Sequence, residues 1–122
     1  MGMTNAGKAL VAALVGDISS PTAVTYCAYG TGTTAFAATQ TALVTESQRS
    51  TSATVAAATT SVTNDTTSIA NSFTISTTET ITEAGIFNGS SAGTMLARSL
   101  VSPTKGVSAG DTYVLTYKVA FA

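Results

Sequence analysis

Six carboxylates and no histidine set the limits of any chemistry in this chain. The commonest general base and the commonest metal ligand are both missing. The carboxylates are Asp17, Glu46, Asp65, Glu79, Glu83 and Asp111. Only Glu79 and Glu83 lie close in sequence, and a strand would put them on one face, two pleats apart. Glycoside hydrolysis needs two carboxyls about 5 to 10 Å apart across a cleft. On a strand the simpler expectation is a solvated face. The single cysteine, Cys27, allows no internal disulfide and lies in the apolar run Val24-Thr25-Tyr26-Cys27-Ala28-Tyr29. With no histidine to activate it, it is expected as a small buried hydrophobe.

Two further patterns offer little. Asn64-Asp65-Thr66 supplies too few oxygens for calcium. Gly30-Thr31-Gly32 hints at a phosphate cradle but lacks the Lys-Ser/Thr end of a P-loop. It is expected as a tight turn that needs glycine dihedrals. Asn64-Asp65-Thr66 and Asn88-Gly89-Ser90 both fit the glycosylation triplet, as chance matches in a Ser/Thr-rich chain. The expectation is therefore a protein that is not an enzyme, with no cofactor, no metal and no small-molecule substrate.

The charges that do stand near one another suggest structure. Glu46 and Arg49 are three apart and can bridge across a turn. Glu83 and Arg98 fall on the two strands of an expected hairpin and can face each other. Exposed pairs contribute only about 0 to 1 kcal/mol. Their expected value is in fixing register or touching a neighbouring subunit.

The elements that position these residues are mostly strands. Residues 5 to 15 give the one helix signal, with Asn5 as N-cap, Ala6, Leu10, Ala13 and Leu14 on one face, and Gly16 as the left-handed stop. At about three turns it is marginal alone and must dock on something. Ser19-Ser20-Pro21 breaks it. A buried strand is expected over residues 24–29, then the Gly-Thr loop, then an ambiguous stretch in which Thr39 can cap a turn through Ala42, Leu43 and Val44. Residues 50–60 lean to strand around Val55. Asn64-Asp65 marks a turn. Residues 68–76 alternate, with Ile69, Phe73 and Ile75 on one face beside Asn71. Residues 80–87 and 94–102 form a hairpin around residues 88–93, with a bulge or close approach at Gly85 and an end at Pro103. In the last strand Tyr113, Leu115, Tyr117, Val119 and Phe121 point one way.

Several short strands with Gly-rich turns imply an all-β fold, an antiparallel β-sandwich (jelly-roll-like) with one short N-terminal α-helix. A length of 122 residues fits a single domain over 1–122, with a helical arm at 1–16 and the sandwich at 22–122. Hydrophobic residues make up 44% of the chain, charged ones only 9%, and Ser plus Thr about a third. An average globular protein is about a quarter charged. With mean hydropathy +0.33 and net charge −1 the chain does not read as disordered. Lys8, Arg49, Arg98, Lys105 and Lys118 are scattered, so no basic stripe offers itself to nucleic acid. No signal-like start and no membrane-length apolar run is visible, and the chain is expected to work without crossing a membrane. So few charges suit a surface packed against other subunits.

Three segments carry a family resemblance. They are Tyr29-Gly30-Thr31-Gly32-Thr33-Thr34 with the following Ala38 to Leu43, Glu46 and Arg49; Ile81-Thr82-Glu83-Ala84-Gly85-Ile86-Phe87-Asn88; and Met95-Leu96-Ala97-Arg98 with Val107 to Asp111. In their order the chain resembles, over about residues 5 to 120, small virion structural proteins of tailed bacteriophages, the head decoration (cement) or short tail-fibre group. The resemblance implies a sandwich that binds other virion subunits. It assigns no role to any residue, and the chain lacks the long shaft of a fibre. The leading expectation is a capsid decoration protein on the outer surface of the phage head, made in the bacterial host cytoplasm. Its partners would be the major capsid protein and copies of itself, as trimer or dimer, with no nucleic acid and no membrane. A small tail, neck, baseplate or tail-fibre component is the alternative, and a carbohydrate-binding β-sandwich module the outsider. The candidate subunit contacts are Asn5, Leu10, Leu14, Thr31, Thr33, Glu46 and Arg49. Glu83 and Arg98 are the candidate structural ion pair.

Overall fold

A computed structural model describes residues 2–50 and 53–121. The element order is β1 (Gly2–Met3), α1 (Asn5–Gly16), β2 (Tyr26–Gly30), β3 (Glu46–Arg49), β4 (Thr54–Ala58), β5 (Thr66–Thr74), β6 (Glu79–Phe87), β7 (Met95–Val107) and β8 (Thr112–Ala120). Two antiparallel sheets form, ordered β1-β7-β6-β2-β3 and β4-β5-β8. The fold is an all-β sandwich with one short N-terminal helix, as the strand pattern implies. The expected leaning to strand over 50–60 narrows to β4, and Thr51 and Ser52 lie outside the described residues, as do Met1 and Ala122.

The sandwich closes on apolar side chains that alternate along the strands. From the three-stranded sheet, Ile69, Phe73, Leu115, Tyr117 and Val119 turn inward. Cys27, Tyr29, Ile81, Ile86 and Leu96 meet them from the other sheet. Tyr29 stands edge-on to Phe73 and to Tyr113, with ring centroids 5.0 and 5.5 Å away, a favoured aromatic geometry. Cys27 is fully buried, and burial pushes its thiol pKa up. Asn71 shares the inward face but is only half-buried, and its side chain reaches the Ser72 carbonyl.

The helix ends differ from expectation by one residue each. Thr4, not Asn5, is the N-cap, and its hydroxyl accepts from the Gly7 N–H at 2.8 Å. The same hydroxyl donates to the Met95 carbonyl at 2.6 Å, which fastens the cap to β7. Asp17, not Gly16, takes the left-handed stop, at φ 48°. A short polar side chain tolerates that region. The N-terminal arm is part of the sandwich, since β1 pairs with β7 at Gly2↔Arg98 and Met3↔Ala97.

Two strand readings change. β7 does not end at Pro103 but runs on to Val107. The register jumps from Glu83↔Leu100 to Ile81↔Lys105, so residues 101–104 stand against Thr82 alone. A proline inside this wide bulge gives up no ladder hydrogen bond. No helical turn forms between Thr39 and Val44. The N–H groups of Val44 and Thr45 are drawn to a side-chain carboxylate instead.

Candidate functional site

That carboxylate belongs to Glu83, and it is wholly buried, as is Arg98 beside it. The expectation of an exposed pair is corrected, and so is that of a solvated Glu79–Glu83 face. Arg98 Nε donates to Glu83 Oε1 at 2.8 Å. The Gly32, Val44 and Thr45 N–H groups donate to the same carboxylate at 2.8, 2.9 and 2.7 Å. Burial alone would raise the Glu83 pKa, but the Thr45 N–H, the guanidinium and the Val44 and Gly32 N–H groups together hold it below the usual carboxylate range. The anion stays charged at the centre of a polar knot.

Of Gly30-Thr31-Gly32, only Gly32 gives its N–H to an anion, the chain's own Glu83, while the Thr31 N–H goes to the Thr45 carbonyl. Neither glycine uses left-handed dihedrals. They are there for room. A Cβ on Gly32 would overlap the Glu83 carboxylate, and one on Gly30 would overlap the Thr45 carbonyl. The Gly85 reading as a close approach holds for a similar reason, with Leu43 at 2.9 Å and the Ala97 carbonyl at 3.1 Å from where a Cβ would sit.

Arg49 ties a second loop. It bridges Glu46 through two bonds, at 2.7 and 3.2 Å, as the spacing suggests. It also donates to the Gly89 and Ala92 carbonyls and lies 3.6 Å over the Phe87 ring. Asp65 organises the β4–β5 turn. It accepts from the Thr60, Ser61 and Val62 N–H groups at 2.8 to 2.9 Å. The Val62, Thr60 and Ser61 bonds hold its carboxyl well below its ordinary pKa.

The feature that faces outward is different in kind. α1 docks by its first half, where Gly7 packs on the Leu96 backbone and Leu10 is buried. Its second half overhangs the sandwich. Under that overhang lies a groove of about 560 Å³, walled by Val11, Leu14 and Val15 of the helix, by Val24, by Val55 of β4 and by Phe121 just past β8. Its floor reaches Ile69, Ile86 and Leu96, and only Thr25 and Thr67 among its lining residues are polar. Val15 and Phe121 are 85% and 58% exposed. Among the described residues, no group of three or more His, Cys, Asp or Glu could hold a metal ion.

No protein-family model, no curated protein and no solved structure matches the chain.

The structure does not gather the predicted contact residues into one patch. Leu10 is buried in the chain's own core, while Leu14 lines the groove. Asn5 is exposed and donates its N–H to the Ala38 carbonyl. Thr31 is half-buried and bonded to the Thr45 carbonyl, and Thr33 is exposed beside it. Glu46 is exposed, but Arg49 is committed to internal partners. Sequence pattern puts Val15, Val55 and Phe121 on separate elements and none near another, and the expected inward Phe121 instead lies just past β8, mostly exposed. Gln40 was missed, although its side-chain oxygen caps Ala37 and meets Arg98 Nη1 at 3.4 Å.

Proposed function

We propose that this chain is a structural protein of a tailed-bacteriophage virion, and that it serves as a decoration (cement) protein on the outside of the head. In that role it clamps neighbouring units of the major capsid protein. The observation that carries the reading is the groove beneath α1. Apolar side chains line it, and Leu14, Val15, Val55 and Phe121 among them remain open to water on a chain that is only 9% charged. Apolar concavities of this kind mark places where another molecule docks. The groove takes apolar side chains projecting from the shell, and weak contacts repeated over many copies add up through avidity. The virion-like segments supply the rigid frame: Ile81 to Asn88 carries Glu83, and Tyr29 to Thr34 wraps it.

The test is cryo-electron microscopy of virions that carry this chain, with its copies counted and placed. Hundreds of copies over the shell, with α1 and Phe121 against capsid protein, support the reading. Copies confined to tail or neck replace it with the tail reading. Absence from the particle overturns both.

A further inference from the structure

The two sheets have four outer edge strands among the described residues, and β8 is the longest of them. β1 is two residues long. β3 is four long and carries Glu46 and Arg49. β4 is five long. β8 is nine residues long, pairs with β5 from Thr112 to Ala120 without a register shift, and has no strand on its other side among the described residues. It has no proline and no glycine, and Lys118 is its one charge. Short length, bulges, prolines and charges are the usual guards of an edge, and β8 has almost none of them. A row of unpaired N–H and C=O groups is a ready template for another strand.

The seam beside β8 is open as well. A crevice of about 300 Å³ is lined by Ser99 and Val101 of β7 and by Tyr113, Leu115, Thr116, Tyr117 and Lys118 of β8, with the Ser99 and Tyr117 hydroxyls hydrogen-bonded at 3.0 Å. β7 beyond Ser99 likewise has β6 on one side only.

We infer that β8 is where two copies of this chain join, β8 against β8, antiparallel about a two-fold axis through Thr116. The full-length register of Thr112–Ala120 on itself places that axis. It sets Leu115 opposite Tyr117 and Tyr113 opposite Val119 on the inward face. On the outward face Lys118 of each copy stands opposite the 64% exposed Val114 of the other, so the lysines do not meet. The two three-stranded sheets become one six-stranded sheet. An isologous contact of this kind closes as a dimer. The pairing is a property of the isolated chain and does not depend on the virion reading.

Sedimentation of the full chain over a range of concentrations, with three variants, tests this. The wild-type chain is expected to dimerise reversibly. Val114→Lys puts like charges opposite each other twice, and weakens the dimer about tenfold or more. Val114→Glu faces Lys118 with an opposite charge and tightens it. Thr116→Cys brings two thiols together at the axis, where facing Cα atoms about 4.5 to 5.5 Å apart suit a disulfide, and yields a cross-linked dimer on oxidation. Ser72→Cys, on the neighbouring exposed strand position, does not, and native Cys27 is fully buried. A wild-type chain that stays monomeric at millimolar concentration overturns the inference. So does a dimer that ignores Val114→Lys and leaves Thr116→Cys uncross-linked. Open-ended polymers overturn the two-fold axis and favour β8 pairing with β4.

Discussion

The knot around Glu83 and the groove beneath α1 are built on opposite plans. Around Glu83 the carboxylate accepts three backbone N–H groups and one guanidinium, and it is closed to water. Around Val15 and Phe121 apolar surface stays open. A chain with eleven formal charges places two of them in its interior, where they organise loops, and leaves core-like side chains outside. The other nine charges are exposed or half-buried, as is usual, so the buried pair is the exception. The difference teaches that polarity here is used to hold loops in shape, and apolar area is kept for contact. One polar atom in the knot, Arg98 Nη2, is buried with no hydrogen-bond partner among the described residues, which makes the charge balance there sensitive to any loss.

The comparison breaks first at Glu83. Glu83→Gln leaves the Arg98 charge uncompensated in the interior and is expected to cost about 3 to 5 kcal/mol. Urea unfolding would show it as a drop in midpoint. The double change Glu83→Gln with Arg98→Met removes both charges and is expected to cost clearly less than the sum of the two singles. A cost for Glu83→Gln within about 0.5 kcal/mol of zero, the range of an ordinary surface change, would sink the account of a load on this carboxylate.

A smaller effect is expected at Gly32. Gly32→Ala drives a Cβ into the Glu83 carboxylate and should destabilise by about 1 to 3 kcal/mol. Thr33→Ala, next door and exposed, should stay within about 0.5 kcal/mol. Equal effects at the two positions would mean that the loop tolerates what the packing says it cannot.

Acid sharpens the same contrast. Glu83 and Asp65 both have folded pKa values below the ordinary range. Their stabilisation is therefore complete above the unfolded carboxylate pKa, about 4. It is lost as pH falls through that value toward the lower folded ones. Thermal unfolding followed from pH 7 downward should show little change until about pH 5 and then a steady fall. Asp65→Asn should flatten part of that fall while leaving the groove unchanged. A curve that does not respond to Asp65→Asn would separate the turn from acid sensitivity.

The strands were legible because alternation survives in any single strand. Tyr113 to Val119 reads inward and outward without help from the rest of the chain. Glu83 and Arg98 were legible as a pair, because both fall on one hairpin, but not as a buried one. Their burial is made by the loop at 30–45, which has no periodicity of its own and takes its shape from the carboxylate it wraps. Pro103 misled for a related reason: a bulge spanning residues 101–104 is set by pairing with β6, not by the local sequence. The groove was the least legible part. Val15, Val55 and Phe121 come from three distant elements and meet only in the folded chain.

The smallest expected change in stability lies in that groove, and it is the most telling about use. Phe121 is mostly exposed, so Phe121→Ser removes little buried area and should alter unfolding by no more than about 0.5 kcal/mol. An apolar fluorescent dye that brightens out of water should bind the wild-type groove and bind Phe121→Ser more weakly, and Val15→Asp more weakly still. The two readouts must diverge: folding held, dye binding lost. If both fall together, the groove side chains belong to the core, and the open apolar surface is a defect of packing. If dye binding survives both changes, the dye reports some other surface, such as the crevice beside β8. Only the first outcome leaves a groove whose apolar side chains serve contact and not the fold, which is the arrangement a protein that works by docking requires.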